Sequence, residues 1–299
     1  MCEGRMKRAG NARETARTQA AAQPALWPGV SVVMPVLNEE RHLCAAVDGI
    51  LGQDYTGEIE VVLAIGPSRD RTDEVAQELA ADPRVRVIDN PDGHTPHGLN
   101  AAVREAKHDI LVRVDGHSVL PADYVRTAVS VLEDTGADNV GGLMAAEGTT
   151  GLERAVACAM SSRLGVGSAR FHTGGDAGPA ETVYLGVFRR SALDRVGGYD
   201  ETFHRAQDWE MNHRIRETGG VVWFTPQLRV AYRPRSSFAA LARQYCSTGS
   251  WRWRVMMLHP ETVSARYLAP PAAVVGTAAA VLLAAGGRPR ALAVPAVYA

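Results

Sequence analysis

Asp115 and His117 flank a single glycine at the end of a branched apolar run, ILVRV at 110–114. An acid and an imidazole two positions apart can project toward one point when the backbone turns at that glycine. A carboxylate oxygen with an imidazole nitrogen suits Mn²⁺ or Mg²⁺ beside a diphosphate, whose oxygens would complete the coordination. The same pair also reads as an Asp capping the next element and a His packed in its loop, and both readings stay open on these residues alone. Asp208 stands just ahead of an amphipathic run. A carboxylate there is either a helix cap or, facing a metal-bound phosphate across a pocket, a general base. The turn-rich NPDGHTPHGLN at 90–100 leads into a helix, and its amides could meet an anion. His94, His97, His172 and His204 read as loop residues rather than ligands. No GxSxG, P-loop or GxGxxG string occurs, so hydrolase, kinase and dehydrogenase chemistry have no support.

These residues need elements to position them. VSVVMPV at 30–36 is a continuous β-branched run ending past a proline, as in a buried parallel strand. Residues 40–51 carry apolar groups at helical spacing, at Leu43, Val47, Ile50 and Leu51. The alternation continues with strands expected at 59–65, 85–88, 110–114 and 139–144, and helices at 72–80, 99–106 and 122–135. Strand–helix alternation at this spacing predicts a doubly wound, mostly parallel α/β sheet. Ligands in such sheets lie beyond the carboxyl ends of the strands. The polar groups at 38–40, 66–68, 89–90 and 115–117 all fall there. Beyond 150 the pattern loosens. The Gly-rich stretch 165–181 reads as a mobile loop, 209–217 as a helix, 221–224 and 228–232 as short strands, and a helix is expected from Ser236 or Ser237 through Tyr245.

Composition bounds the function. The 299 residues hold 32 basic and 33 acidic side chains, a net charge of −1, which excludes the basic excess of a nucleic-acid binder. The cysteines Cys2, Cys44, Cys158 and Cys246 form no CxxC pair, so their spacing gives neither a thiolate zinc site nor a disulfide framework and fits a reducing compartment. Residues 1–28 are Ala-, Arg- and Thr-rich without an apolar signal core, and are expected to be a disordered tail, with Met6 an alternative start. The stretch 267–285 carries no charge and has about the ~20 residues needed to cross a bilayer, although a buried Ala-rich core helix would read the same way. A second apolar run, 291–299, stops as if in mid-helix, so the natural chain is expected to continue. The aromatic and basic residues Trp251, Arg252, Trp253 and Arg254 suit a membrane–water interface. The expected organisation is a tail at 1–28, a catalytic domain at 29–235, amphipathic interface helices at 236–266 and membrane segments at 267–299.

Four segments in this order resemble one family. VSVVMPVLNEE at 30–40 is similar to the opening strand of family 2 glycosyltransferases, which have the GT-A nucleotide-diphospho-sugar transferase fold. VRVDGH at 112–117 resembles their DxD element in its DxH form. VGGYDE at 196–201 followed by QDWEM at 207–211 resembles their GGFDE…ED acceptor and base region. Gln244-Tyr245 with GSWR at 249–252 is similar to a membrane-proximal motif of succinoglycan-type exopolysaccharide glucosyltransferases, which carry C-terminal membrane helices. The resemblance covers about 29–255.

It implies an inverting hexosyl transfer from a nucleotide-sugar donor to a lipid-linked or polysaccharide acceptor, with the catalytic domain at the cytoplasmic face of the cell membrane. Pro35, Leu37 and Glu39 would line the nucleoside pocket. Asp115 would bind donor and metal, with His117 as second ligand to Mn²⁺ or Mg²⁺. Asp208 would be the general base, and Gly186, Gln207 and Trp251 would shape the acceptor side. The chain departs from the family pattern twice. Gly66 stands where members place an Asp that recognises uracil, so a UDP-hexose, the donor the family favours, would be read by backbone or another side chain. Gln207 replaces the first acid of the usual pair. Arg252, Arg254 and Arg266 fit a cytoplasmic catalytic domain by the positive-inside rule, whereas Arg288 and Arg290 lie beyond the proposed span. Two other readings are a polyprenyl-phosphate sugar synthase, whose phosphate nucleophile needs little base, and a catalytically silent nucleotide-binding membrane protein.

Overall fold

The computed structural model describes residues 27–293, Ser168 apart. Residues 1–26 of the expected 1–28 tail and the last six residues of the second apolar run lie outside the described residues, while Trp27 packs edge-on against Tyr55. In chain order the elements are β1 (Val30–Val36), α1 (Leu43–Leu51), β2 (Ile59–Ile65), α2 (Thr72–Leu79), β3 (Val85–Asp89), α3 (Thr95–Glu105), β4 (Ile110–Arg113), α4 (Tyr124–Thr135), β5 (Asn139–Ala146), α5 (Gly151–Ser161), β6 (Gly178–Pro179), β7 (Tyr184–Arg189), α6 (Arg190–Val196), α7 (Gln207–Glu217), β8 (Val222–Tyr232), α8 (Phe238–Leu258) and α9 (Ala265–Ala285).

Eight strands form one sheet in the order β3-β2-β1-β4-β7-β5-β8-β6. Pairing is parallel from β3 through β4 and between β5 and β8, while β7 runs antiparallel between β4 and β5 and β6 antiparallel on β8. The sheet is therefore mostly parallel, as the alternation predicts. β2 is buried along its whole length, which is why it reads as an unbroken apolar run. One face packs Val32, Met34, Val61 and Leu63 against Leu43, Val47 and Ile50 of α1 and Val125 and Leu132 of α4. The other packs Val33, Val62 and Leu111 against Leu99 and Ala102 of α3, Leu193 of α6, and Met211 and Ile215 of α7.

The chain leaves β1 toward β2 and β3, then returns to lay β4 on the other side of β1. The crevice between the ends of β1 and β4 is thus a topological switch point, where α/β sheets bind ligands. Loops 37–41 and 115–117 both open there.

Several elements differ from expectation for physical reasons. α3 begins at Thr95 rather than 99, since Pro96 occupies a first-turn position whose N–H would be unpaired in any case. The two short strands expected at 221–232 are one strand, β8, whose pairing with β5 jumps from Gly141–Phe224 to Leu143–Arg229. At that bulge a Cβ on Gly142 would lie 1.8 Å from the Leu228 carbonyl oxygen, so only glycine fits. The stretch 165–181 contains a helical turn at Arg170–Thr173 and the short strand β6. β7, six residues with a central glycine, carries no clear alternation and was not foreseen; nor were α5 and α6.

α8 is a single helix whose Phe238, Trp253, Met257 and Leu258 are exposed. In α9 the window Tyr267–Ala285 has a mean hydropathy of 1.9 and is 6 % buried, so it is no core helix; by length and composition it can cross a membrane.

Candidate functional site

The loops at the switch point are built from the residues the sequence singled out. Asn38, in the loop after β1, has φ 57°, a left-handed conformation that asparagine tolerates. Its side-chain oxygen accepts the Arg69 amide at 2.8 Å, and its own amide donates to Ser68 Oγ at 3.1 Å. The Glu39 amide donates to Thr72 Oγ1 at 2.7 Å. The loop after β1 is thereby fixed to the loop after β2. Pro35, Leu37 and Gly66 gather along this wall. Gly66 donates to the Val36 carbonyl at 2.8 Å, and a Cβ there would meet Leu37 Cδ1 and Gly93 Cα, both at 3.1 Å.

Glu39 turns toward β4. Its Oε1 lies 2.8 Å from His117 Nδ1, which donates to it and leaves Nε2 as the free imidazole nitrogen. The hydrogen bond to Glu39 raises the His117 pKa above its ordinary 6.5, against the opposing effect of burial, and the Glu39 and Asp115 charges add to the rise. Gly116 admits this contact, for a Cβ there would sit 3.1 Å from Glu39 Cγ.

Asp115 leads to a residue that the sequence reading passed over. Arg113, the last residue of β4, is buried, with a side chain 8 % exposed. Its Nη2 donates to Asp115 Oδ1 at 3.0 Å, and its Nη1 donates to Asp208 Oδ1. Burial would lower the guanidinium pKa, but the Asp115 charge and hydrogen bond outweigh it, and Arg113 remains a fixed cation. Burial pushes the Tyr199 hydroxyl up to about 12 and the Tyr184 hydroxyl upward as well, so neither is an anion competing for Arg113. The available signal was a lone arginine inside ILVRV, since a buried arginine requires a paired acid.

Asp208 occupies the first turn of α7, whose N-cap is Ala206 at φ 59° with no side-chain cap. Its ion pair is with Arg113 across the crevice rather than with its own helix end, so the capping role does not describe it. Asp208 lines a cavity of about 500 Å³ together with Gln207, Tyr184, His204, Arg205 and Trp251. Trp251, from α8, packs on Phe203 and His204 at ring-centroid distances of 6.1 and 5.6 Å. Gly186 lies inside β7, where a Cβ would meet the Phe188 ring at 2.4 Å and Asn139 Oδ1 at 2.5 Å, and it is not among the residues lining this cavity. Nor are the histidines all loop residues: His97 belongs to α3, and His94 stacks on His204 at 3.7 Å.

Residues 31–197 match the model of glycosyl transferase family 2. The chain belongs to that family. It is 35 % identical over 242 residues to the succinoglycan biosynthesis protein ExoA of Rhizobium meliloti, covering 80 % of this chain and 73 % of that one. It is 21 % identical over 231 residues, 74 % of this chain and 72 % of the other, to a dolichyl N-acetyl-α-D-glucosaminyl phosphate 3-β-D-2,3-diacetamido-2,3-dideoxy-β-D-glucuronosyltransferase of Methanococcus voltae. Among solved structures, the mannosyltransferase PcManGT from Pyrobaculum calidifontis, in complex with GDP-Man and Mn²⁺, superposes with a TM-score of 0.62 at 21 % identity, over 96 % of this chain and 92 % of that one. Residues 1–349 of S. aureus TarS in complex with UDP-GlcNAc superpose with a TM-score of 0.54 at 17 % identity, over 70 % of this chain and 59 % of that fragment. Family membership makes this chain a glycosyltransferase with a GT-A-like fold.

Proposed function

We propose that this glycosyltransferase moves a hexose from a nucleotide-sugar donor to a hydroxyl of a lipid-linked or polysaccharide acceptor by a single inverting displacement at the cytoplasmic membrane surface. The observation that carries the proposal is the pairing of Asp115 and Asp208 on one Arg113 guanidinium, at the edge of a cavity large enough for a sugar. Asp115 belongs to the donor side and Asp208 to the acceptor side, so the fork sets the distance between leaving group and nucleophile. The ion pair engages one Asp208 carboxylate oxygen, and the side chain remains 35 % exposed on the cavity wall. Asp208 takes the acceptor hydroxyl proton as that oxygen attacks the anomeric carbon and the nucleoside diphosphate departs.

Asp115 and His117 are the residues that would hold a divalent ion. The donor set fits: a carboxylate lies two positions from an imidazole whose Nδ1–H is fixed by Glu39, the arrangement that orients metal-bound histidines. Mn²⁺ or Mg²⁺ held there would supply positive charge to offset the negative charge developing on the departing diphosphate. Pro35, Leu37 and Gly66 form the wall for the nucleoside, and Gln207 and Trp251 shape the acceptor side. The relatives named for succinoglycan and for a dolichyl-phosphate-linked sugar support the acceptor class, and the neighbours carrying UDP-GlcNAc and GDP-Man support the donor class. The exposed apolar α9 and the aromatic, apolar surface of α8 support attachment to a membrane.

A second reading has its own observation. Arg205 and Arg252 line the cavity together with Asp208, and two guanidinium groups there suit a phosphate acceptor. Assay of UDP-, GDP- and dTDP-sugars with Mn²⁺ and membrane lipid extract tests both readings. The proposal expects metal-dependent transfer from one donor class, abolished by Asp115→Asn. Absence of transfer and of nucleoside diphosphate binding with every donor would overturn it.

A further inference from the structure

A second group of ligating side chains lies outside the Arg113 site. His213 projects from α7, His259 caps the end of α8, and Glu261 belongs to the 3₁₀ turn Pro260–Thr262 that follows. His213 Nε2 is 3.0 Å from Glu261 Oε1, and His259 Nδ1 is 3.5 Å from the same oxygen. All three ligand atoms lie within 4.8 Å of one another. A tetrahedral Zn²⁺ with bonds of ~2.0–2.2 Å places its ligand atoms about 3.3 Å apart, so these separations need only small side-chain adjustments.

We propose that His213, His259 and Glu261 bind a divalent transition ion of the Zn²⁺ class. Two imidazoles and one carboxylate form a borderline donor set, better matched to Zn²⁺ than to the oxygen-seeking Mg²⁺. The surroundings favour a metal over a simple hydrogen-bonded triad. His213 is buried, with its ring stacked on Trp209 at 5.4 Å and 11°, so its orientation is set before any ion arrives. With Nδ1 of His259 on the ion, its Nε2–H points toward Glu210 Oε1 at 3.9 Å, and Glu210 is held by Arg214 at 2.6 and 2.7 Å. Closing that 3.9 Å gap to hydrogen-bond distance would let the Glu210 carboxylate fix the His259 tautomer and strengthen its donor nitrogen. Three protein ligands leave a fourth position for water.

The ion would join two helices that share a purpose. α7 begins with Gln207 and Asp208, and α8 carries Thr248 and Trp251; all four line the cavity. Tying the end of α8 to the middle of α7 fixes the cavity walls relative to each other and relative to the helix that continues toward α9. This site is independent of the proposed transfer reaction.

The test uses the full chain without a polyhistidine tag, stripped by a chelator and titrated with ZnCl₂ alone in the absence of nucleotide sugar. Asp115→Asn removes the other candidate metal site and should retain a single equivalent of Zn²⁺ and a raised thermal midpoint on binding. In that background His259→Ala and Glu261→Gln, both near the surface, should each weaken Zn²⁺ by about 10-fold or more with an unchanged circular dichroism spectrum. Co²⁺ in place of Zn²⁺ should give visible bands of four-coordinate intensity that both substitutions erase. Affinity unaltered by His259→Ala and Glu261→Gln, or absence of Zn²⁺ binding in the Asp115→Asn chain, would overturn the proposal.

Discussion

Asp115 and Asp208, from opposite walls of the crevice, share one counter-charge: each accepts a hydrogen bond from a different nitrogen of the buried Arg113 guanidinium. Asp115 follows β4, while Asp208 begins a helix far along the chain. The fork joins them directly, so the relation of donor side to acceptor side depends on the shape of one side chain as well as on its charge.

Replacement of Arg113 separates those two contributions. Arg113→Lys keeps a cation but loses the planar fork, and should lower kcat by about 10²-fold, as when one preorganised electrostatic donor is removed. Arg113→Met leaves two acids facing each other with no buried cation. Stability should fall by about 2 kcal/mol, less than the ~3–5 of a fully buried pair, since a third of Asp208 is solvent-screened. Urea unfolding and initial rates on the same preparations check both. A lysine variant with wild-type kcat would show that charge alone matters.

Asp208→Asn tests the base. Loss of proton acceptance should cost kcat about 10²–10⁴-fold while the affinity for nucleoside diphosphate stays unchanged. Label transfer from the nucleotide sugar to membrane lipid or polysaccharide, measured alongside diphosphate binding, reads the two effects apart. Turnover near wild type would remove the hydroxyl acceptor and favour the phosphate acceptor that Arg205 and Arg252 suit.

What could be read in advance follows from how locally each feature is encoded. β1, β2 and β4 were legible because they are buried runs rich in branched apolar residues, with turns at both ends. Asp115, His117 and Asp208 stand out in the sequence because their types and order resemble a family pattern. Arg113 was not, because the reason for its burial is an acid 95 positions away in sequence. β7 was missed for a related cause: it is inserted antiparallel between β4 and β5, and that pairing has no period of its own. Gly186 is an acceptor-side residue by resemblance alone, and within the sheet its lack of a side chain leaves room for Phe188 and Asn139. His213, His259 and Glu261 come together only where the end of α8 folds back on α7.

Metal binding at Asp115 and His117 should depend on pH with a defined sign. Glu39 raises the His117 pKa above 6.5 in the folded chain, so the protonated imidazole persists to a higher pH than in the unfolded state. Its contribution to the stability of the metal-free fold is therefore complete below the ordinary value and is lost as pH rises through the raised one. A metal needs the neutral ring, so Mn²⁺ affinity should run the other way, rising with pH and levelling above the raised pKa. Glu39→Gln should move that rise to lower pH and weaken the plateau affinity by ~10–100-fold. Mn²⁺ titrations in the presence of UDP across this range, by electron paramagnetic resonance, measure both. A pH profile unmoved by Glu39→Gln would dissociate Glu39 from the metal site.

Gly142→Ala tests the sheet that carries the site. At the β5–β8 bulge a methyl group would lie 1.8 Å from the Leu228 carbonyl oxygen, which belongs to backbone and cannot rotate away. The strands must separate there, straining the ladder that places β8 and, through β5 and β7, the position of β4. Overpacking of this kind costs about 1–3 kcal/mol. Gly136→Ala is a matched control of different origin: it has open space for a Cβ, but its φ of 64° at the end of α4 disfavours any L side chain, for a loss of about 1 kcal/mol. Gly142→Ala should lower both the urea midpoint and kcat, because strain reaches Arg113 through the neighbouring strands. Gly136→Ala should lower the midpoint alone. Equal effects of the two on kcat would mean that the crevice responds to global stability rather than to the register of the sheet.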